Sequence, residues 1–258
     1  MNTTVVILGC GSVGCAAGRL LAGRGWQVIG IRRQPADDAG FTMVAGDAAD
    51  ATLWSRLSRP DAVLLTATPG VRRGGDNRLD RAAQALPAGV RVAYSGTTAV
   101  YGDAGGALVD EDGPPAPGAG PLLAVEAAVL AHHDSLILRC PALVGSSRQR
   151  VQERARAAAA AGTALTVPGD PDRPFSILHE DDLAWLLAEA VDGALRTQRG
   201  VFNAAHPQAP SVRSYYVEQA RRAGVSVEVA SDGSDKPSRT IDARRLHALV
   251  PQRRWLPA

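Results

Sequence analysis

The N-terminal segment constrains the fold most strongly, because it combines a buried strand, a glycine turn and a helix. Residues 4–8 are apolar or β-branched at every position, which is typical of a strand buried on both faces of a parallel sheet. A Gly-x-Gly-x-x-Gly turn follows at 9–14, and apolar side chains recur at helical spacing over 13–22. Gly25 ends this helix, and residues 26–31 form a second strand. The pattern predicts a βαβ unit.

The chemistry of the glycine turn indicates a dinucleotide site. Gly9 permits a tight turn, Gly11 lets a pyrophosphate approach the backbone, and Gly14 allows the helix to pack closely on the strand. The helix begins at Ser12 and Val13, where free N–H groups and the positive end of the helix dipole attract phosphate. We therefore expect these five residues to bind a dinucleotide. The alternative is a glycine-rich turn that only packs helix against strand.

The end of the second strand predicts which dinucleotide is bound. An NAD site usually has an acidic residue there, about 20 residues past the turn, to bind the ribose 2′-hydroxyl. This chain has Arg32 and Arg33 instead. Two guanidinium groups can hold a 2′-phosphate through charge-assisted hydrogen bonds, so we expect NADP, with NAD as an alternative. The alternative is that both are ordinary surface arginines, because the chain uses arginine almost everywhere for positive charge and has a single lysine, Lys236.

Further cofactor contacts are expected where the next strands end. Asp47 follows the third strand and could accept a hydrogen bond from the adenine amino group, or it could cap the helix at 51–57. Ala67 and Thr68 follow the strand at 62–66 and are assigned to the same site.

Beyond these segments, strands and helices continue to alternate. Strands are expected at 42–45, 62–66, 90–94 and 135–139, and helices at 51–57, 78–86 and 122–132. The pattern predicts an α/β fold, a Rossmann-type doubly wound parallel sheet with a smaller C-terminal substrate lobe. We assign residues 1–145 to the dinucleotide-binding core and 146–258 mainly to the lobe, with some segments returning to the core. Helices are expected there at 148–161, 181–191 and 212–223, and short strands at 165–167, 175–178, 201–203 and 225–229.

Composition excludes several classes of protein. A net charge of +2 over 258 residues gives no basic surface for nucleic acid or for a membrane. The first residues do not have the pattern of a signal peptide, and we expect a cytoplasmic protein. The cysteines Cys10, Cys15 and Cys140 have no metal-binding or disulfide spacing and are expected to be small buried hydrophobes. The adjacent His132 and His133 point in different directions on a helix, so no metal site is expected.

Five later stretches carry motifs that occur together in one known family. They are Ser-Gly-Thr-Thr-Ala-Val-Tyr-Gly at 95–102, Asp-Glu at 110–111 with later prolines, Leu-Arg-Cys-Pro at 138–141 with Gly145, His-Glu-Asp-Asp-Leu-Ala at 179–184, and Phe-Asn at 202–203. In these motifs the chain resembles the extended short-chain dehydrogenase/reductases, the NAD(P)-dependent epimerases and dehydratases. The resemblance implies an NAD(P)-dependent enzyme acting on a small molecule, with Thr97 as the catalytic hydroxyl.

One departure from that family concerns its acid–base pair, Tyr-x-x-x-Lys followed by a glutamate. Aligning the glutamate with Glu126 puts Leu122 at the lysine position and Gly118 at the tyrosine position. No other register restores the pair, because Asp232 stands four residues before Lys236. The glycine turn also differs from the family's Gly-x-x-Gly-x-x-Gly. Both departures resemble the atypical members of the family.

Other residues could replace the missing pair. Tyr101 is a candidate acid, or it packs under the loop at 102–120. His179 is a candidate acid–base group, or it bonds the backbone at the start of the 181–191 helix. Arg139 faces substrate or cofactor, or it pairs with a carboxylate. Lys236 is solvated, or it meets a phosphate group of a substrate.

Two functions follow from these alternatives. One is an atypical NADP-dependent oxidoreductase, in which Thr97 polarises a carbonyl or imine. The other is a non-catalytic NAD(P)-binding sensor or scaffold, which keeps the turn and lacks the acid–base pair. The resemblance also implies a homodimer through the helices at 78–86 and 122–132, whose many alanines permit close packing.

Overall fold

The computed structural model describes residues 3–34, 39–47, 50–68, 78–145 and 150–257. The strands are β1 Thr4–Leu8, β2 Gln27–Arg32, β3 Thr42–Ala45, β4 Ala62–Leu65, β5 Arg91–Thr97, β6 Leu108–Val109, β7 Ser135–Cys140, β8 Ala142–Val144, β9 Leu165–Val167, β10 Ile177–His179, β11 Gly200–Asn203, β12 Val229–Ser231 and β13 Thr240–Ile241. The α-helices are α1 Ser12–Gly23, α2 Arg78–Gln84, α3 Gly120–Leu130, α4 Arg150–Ala160, α5 Glu180–Asp192, α6 Val212–Arg222 and α7 Arg244–Leu249.

Within the described ranges, seven strands form one parallel sheet in the order β11-β7-β5-β4-β1-β2-β3. The order reverses at β1, since β2 and β3 lie on one side of it and the later strands lie on the other. In doubly wound sheets, ligands bind in the crevice at the carboxyl ends of the strands where this reversal occurs. The predicted Rossmann-type fold is confirmed, and the glycine turn lies at this crevice.

Two helical layers cover the sheet, and β1 shows why every residue of the strand is apolar. Val5 and Ile7 point into the layer that contains α1 and α5, whereas Val6 and Leu8 point into the layer that contains α2 and α3. All four side chains are fully buried. Successive side chains of a strand face opposite sides of the sheet, so both periodic positions must be hydrophobic here.

The C-terminal lobe consists of short elements outside the main sheet. Strand β9 pairs with β12, and α4 packs against α6. The chain also returns to the core, where β11 adds to the sheet beside β7 and α5 packs on α1. The strand expected at 225–229 is found at Val229–Ser231, and the segment expected to be a short helix at 51–57 is a 3₁₀ helix at Ala51–Arg56.

The sequence pattern did not predict β6, β8 or β13. In the structure β6 pairs with β13, and β8 pairs with β10, which overlaps the strand expected at 175–178. Strands of two or three residues are too short to show a periodic pattern. No helix in the described ranges is long and apolar enough to cross a membrane.

Candidate dinucleotide and substrate site

Gly9 occupies a position that other residues could not share. Its φ of +86° lies in the left-handed region, and a Cβ added there would lie 2.5 Å from Ala67. The backbone N–H of Gly9 donates to the carbonyl of Ile31 at 3.1 Å, which ties the turn to the end of β2. The turn is therefore pressed between two neighbouring strand ends, where only glycine fits.

The other two glycines of the turn have different environments. A Cβ on Gly14 would lie 2.9 Å from Thr66 Oγ1 and 3.1 Å from Ile7 Cγ2, so this glycine allows α1 to pack closely on the sheet. A Cβ on Gly11 would meet nothing closer than the Gly9 carbonyl oxygen at 3.9 Å. Gly11 therefore faces open space, where a ligand can approach the backbone.

The start of α1 suits an anion. Gly11 is the N-cap residue and contributes no side-chain hydrogen bond, and the first turn of the helix contains no acidic residue. The N–H groups of Ser12, Val13 and Gly14 precede the first N–H that has an intrahelical partner, that of Cys15, which donates to the Gly11 carbonyl at 2.8 Å. These residues fit the pyrophosphate of a dinucleotide.

Two exposed arginines lie at the carboxyl end of β2. Arg32 is the last residue of this strand, and Arg33 follows it. A cavity of about 410 Å³ opens beside them, and its described lining is Arg32, Arg33 and Gln34. The cavity is next to the glycine turn, since Ile31 accepts hydrogen bonds from the N–H groups of Gly9 and Cys10. The arginines therefore lie at the end of the strand that pairs with β1, on the side of the sheet edge where the glycine turn begins.

The remaining predicted cofactor residues lie at the same edge of the sheet. Asp47 is half-buried just after β3, and the 3₁₀ helix at Ala51–Arg56 is capped by Asp50, not by Asp47. The capping alternative for Asp47 is therefore wrong. Ala67 and Thr68 follow β4, with Ala67 against Gly9 and Thr68 exposed.

Thr97 is the last residue of β5, which extends three residues further than the sequence predicts. Its side chain is half-buried, and Oγ1 accepts a hydrogen bond from the Ala99 N–H at 3.1 Å. Because the hydroxyl acts as an acceptor in this contact, its own proton can be donated to another group. Thr97 is thus placed as a hydrogen-bond donor at the carboxyl edge of the sheet.

Tyr101 belongs to a buried network. Its side chain is 2% exposed, and its hydroxyl donates to Asn203 Oδ1 at 2.7 Å while accepting from Arg139 Nη1 at 2.8 Å. Burial raises the pKa of Tyr101 above its usual value, although the hydrogen bond from Arg139 opposes the shift. This geometry corresponds to the packed alternative for Tyr101 and gives the hydroxyl no free donor position.

Arg139 forms an ion pair, as the second interpretation of this residue predicts. Its Nη2 lies 2.7 Å from Glu126 Oε2, and its Nε donates to Oε1 of the same carboxylate at 3.0 Å. Burial opposes the charge on Arg139, but the hydrogen bonds to Glu126 and Tyr101 outweigh burial and raise the pKa of Arg139. The guanidinium group of Arg139 is therefore engaged by partners inside the protein.

The positions of the missing acid–base pair hold no ionisable group. Gly118 has a φ of +81° in the turn before α3, and a Cβ there would meet nothing within 4 Å. Leu122 is 8% exposed and packs in a hydrophobic cluster with Val100, Tyr101 and Ile241. An apolar contact therefore replaces the lysine, and the cation beside the Tyr101 phenol is Arg139, which is already paired with Glu126.

The histidines have structural partners. His179 is the N-cap residue of α5, and its Nδ1 accepts from the Asp181 N–H at 3.2 Å, which confirms the backbone-bonding interpretation. His132 lies just after α3 and not on a helix as expected, and its Nε2 lies 2.9 Å from the Ala83 carbonyl oxygen of α2. Lys236 is exposed in the lobe, beside Gly169.

Two features escaped the sequence interpretation. Cys10 and Cys15 lie with their sulfur atoms 3.5 Å apart, a contact that spacing alone did not suggest. Arg173 has a buried Nε atom without a hydrogen-bond partner among the described residues. A buried donor of this kind has no sequence signature, because it depends on how the lobe folds around the side chain.

Comparison with known proteins places these features in context. A family model, described as the NAD dependent epimerase/dehydratase family, matches residues 5–205. No curated protein sequence matches the chain.

Solved structures match along nearly the whole chain. MoeE5 in complex with UDP-glucose and NAD is 22% identical, with a TM-score of 0.78 over 97% of this chain and 92% of that one. WbmH of Bordetella bronchiseptica in complex with NAD+ is 20% identical, with a TM-score of 0.78 over 100% and 94%. UDP-N-acetylglucosamine 4-epimerase of Bacillus cereus is 18% identical, with a TM-score of 0.75 over 97% and 93%. Similarity at this level of identity establishes the fold.

Proposed function

This chain belongs to the NAD-dependent epimerase/dehydratase family, and from that membership we propose that it is an NADP-preferring oxidoreductase of an atypical kind. It binds the dinucleotide at the glycine turn and acts on a small molecule without a Tyr-x-x-x-Lys pair. The observation that carries the proposal is the cradle formed by Gly9, Gly11 and Gly14, with two arginines at the end of the neighbouring strand.

The preference for NADP rests on charge at the end of β2. Arg32 and Arg33 are exposed beside the cavity, and guanidinium groups bind phosphate oxygens in a bidentate manner. A carboxylate at the same position would instead accept from a ribose hydroxyl and repel a phosphate. Asp47, Ala67 and Thr68 are proposed to contact the same cofactor from the neighbouring strand ends. Two of the similar structures contain NAD, so NADH is the necessary comparison in any binding experiment.

The proposed chemistry is hydride transfer, and the nicotinamide ring supplies the hydride acceptor or donor when the cofactor is bound. Thr97 then donates its hydroxyl proton to the oxygen or nitrogen of the substrate, which polarises the reacting bond. A protonated imine already carries the proton that the absent tyrosine would supply, and its N–H would then donate to the Thr97 hydroxyl oxygen instead. Sugar nucleotides belong in the same screen, because one similar structure contains UDP-glucose.

Cofactor binding is tested first, by calorimetric titration with NADPH and NADH. Arg32→Asp should weaken NADPH binding by about tenfold or more, corresponding to about 1.4 kcal/mol, with little effect on NADH. Arg156→Asp, which changes an exposed arginine of α4 in the same way, is the matched control and should leave both affinities unchanged. If the wild-type protein binds neither nucleotide, the proposal is abandoned.

Catalysis is tested by turnover across a panel of carbonyl, imine and sugar-nucleotide substrates. Thr97→Val keeps the shape of the side chain and removes the hydroxyl, so kcat should fall by about 10²-fold or more while NADPH affinity is unchanged. Thr97→Ser should retain most of the activity, because it keeps the donor. Unchanged turnover in Thr97→Val would remove this residue from the mechanism.

A non-catalytic sensor or scaffold is the second candidate, and the packing of Leu122 favours it. The position that would hold a lysine is part of a buried apolar cluster, and Tyr101 is committed to Asn203 and Arg139. In that case the purified protein would bind NADPH and convert no member of the substrate panel.

We also propose that the chain forms a homodimer through α2 and α3. The outward face of α3 carries the exposed residues Pro121, Ala124, Ala127, Leu130 and Ala131, with no charged group among them. Small side chains permit a second helix to approach closely, and burial of such a face removes apolar surface from water.

A further inference from the structure

Two cysteines meet inside the dinucleotide turn. Cys10 is the second residue of the turn, and Cys15 lies on the first turns of α1. Their Sγ atoms are 3.5 Å apart, and the Cys15 thiol also lies 3.6 Å from the carbonyl oxygen of Cys10. A disulfide requires a separation of about 2.05 Å, so the two sulfurs need to approach by about 1.5 Å.

The two thiols differ in their access to solvent. Cys10 is fully buried, and its sulfur lies 2.9 Å from the position that a Cβ on Gly30 of β2 would occupy. Cys15 is partly exposed. A small oxidant therefore reaches the sulfur of Cys15 first. The sulfur of Cys10 is more deeply buried and lies within contact distance of the Cys15 sulfur. Reactive pairs commonly combine an accessible thiol with a neighbouring resolving thiol.

We propose that Cys10 and Cys15 form a peroxide-oxidisable dithiol, whose disulfide closes across the phosphate-binding turn and weakens cofactor binding. The disulfide itself depends only on the two thiols, whereas its effect on the cofactor rests on the function proposed above.

The chemistry balances in two steps with hydrogen peroxide as the oxidant. The Cys15 sulfur attacks peroxide, so that an S–O bond forms and the O–O bond breaks, and the leaving hydroxide takes up the Cys15 thiol proton as water. The Cys10 sulfur then attacks the sulfenic sulfur of Cys15. The S–S bond forms, the S–O bond breaks, and the leaving hydroxide takes up the Cys10 proton as a second water. Burial, followed by the hydrogen bond with Cys15, raises the pKa of Cys10 to about 12, so the second step is slow at neutral pH.

The expected effect on the cofactor follows from what lies between the sulfurs. Gly11, Ser12 and Val13 are all inside the ring that the disulfide closes. Their backbone positions would shift when the sulfurs approach, because Cys10 is packed tightly under Gly30. N–H groups aligned on a phosphate lose binding energy when they move, so the oxidised protein should have the lower affinity.

The experiment compares reduced and peroxide-treated full-length protein. Peptide mass spectrometry after alkylation of free thiols should show loss of two hydrogens in the peptide that spans residues 10–15. Calorimetry with NADP+, which does not itself reduce a disulfide, should show binding weakened by at least about fivefold, with recovery after dithiothreitol. Cys15→Ser should abolish both changes. Cys140→Ser, which removes the third thiol, is the matched control and should keep them.

Thermodynamic reciprocity supplies a second measurement. If the disulfide weakens NADP+ binding tenfold, saturating NADP+ must make the reduction potential of the pair more positive by about 30 mV in a glutathione buffer. Absence of the 10–15 disulfide in the wild-type protein would overturn the proposal, as would a disulfide that leaves NADP+ affinity unchanged. Failure of the reduced protein to bind NADP+ would instead overturn the proposed function, and the mass spectrum would still decide whether the pair is oxidised.

Discussion

Arg139 near the end of β7 donates two parallel hydrogen bonds to Glu126 on α3, with Nη2 2.7 Å from Oε2 and Nε 3.0 Å from Oε1. Both side chains are nearly inaccessible, and the remaining Nη1 of Arg139 donates to Tyr101 and to the Glu111 carbonyl. The pair joins a helix, a central strand and the loop that follows β5. It holds together the region where the family's acid–base motif would stand.

Glu126→Ala should destabilise the protein strongly, because it leaves a buried guanidinium group without its counter-charge. Removal of one partner from a buried pair typically costs about 3–5 kcal/mol, measured here as the free energy of unfolding in urea. Glu218→Ala breaks the exposed contacts with Arg221 and Arg222 and is the control, for which the urea midpoint should hardly change. A midpoint for Glu126→Ala as high as that of the control would show that the pair is unimportant for stability.

Tyr101→Phe separates a structural role from a catalytic one. The variant loses one hydroxyl that donates to Asn203 and accepts from Arg139, so unfolding should become easier by about 1–3 kcal/mol. Asn203 Nδ2 keeps its bonds to the carbonyls of Val109 and Asp242, so the fold should survive. NADPH affinity and any turnover should stay close to those of the wild-type protein. If turnover instead fell by about 10²-fold or more at unchanged KM, the proton transfer would be assigned to Tyr101.

The sequence predicted the sheet well because each central strand is buried on both faces, which leaves a run of apolar residues. The glycine turn was predicted equally well, because Gly9 and Gly14 occupy positions where a Cβ atom would clash with neighbouring residues. The sequence did not show which partners Tyr101 and Arg139 bind. Asn203 lies 102 positions from Tyr101 in the chain, and Glu126 lies 13 positions from Arg139. The contact between Cys10 and Cys15 depends on side-chain rotamers at a turn, which spacing does not reveal. Local patterns therefore predicted the strands and the glycine turn, whereas the polar network required the tertiary structure.

The ion pairs of Asp134 should make the free energy of unfolding depend on pH in the acidic range. Burial raises its pKa, but hydrogen bonds from Arg91 and Arg196 and the charge of Arg199 outweigh burial, so the folded-state pKa lies below the usual value. A lowered folded pKa stabilises the protein above the unfolded value of about 3.9, and this contribution is lost as pH falls through the folded pKa. Arg91 is 1% exposed at its side chain, so it depends on this carboxylate.

Asp134→Asn should therefore be less stable than wild type in urea at pH 7. The difference should begin to shrink below about pH 4, where the unfolded-state carboxyl takes up a proton, and should vanish only below the lower folded-state pKa. Asp172→Asn alters an exposed pair with Arg213 and should show a small difference at every pH. A constant difference for Asp134→Asn between pH 7 and pH 3 would contradict the assignment.

Leu130→Glu tests the dimer proposed for α2 and α3. Leu130 is 43% exposed at the end of the uncharged outward face of α3, so a glutamate there should disturb the monomer little but place two carboxylates in a symmetric interface. Sedimentation velocity should show a dimer for the wild-type protein and a monomer for the variant. Leu20→Glu, on the exposed side of α1 with Leu20 39% exposed, is the matched control and should remain dimeric. A monomeric wild-type protein would remove the dimer from the proposed function without affecting the cofactor site, because the glycine turn lies on another part of the sheet.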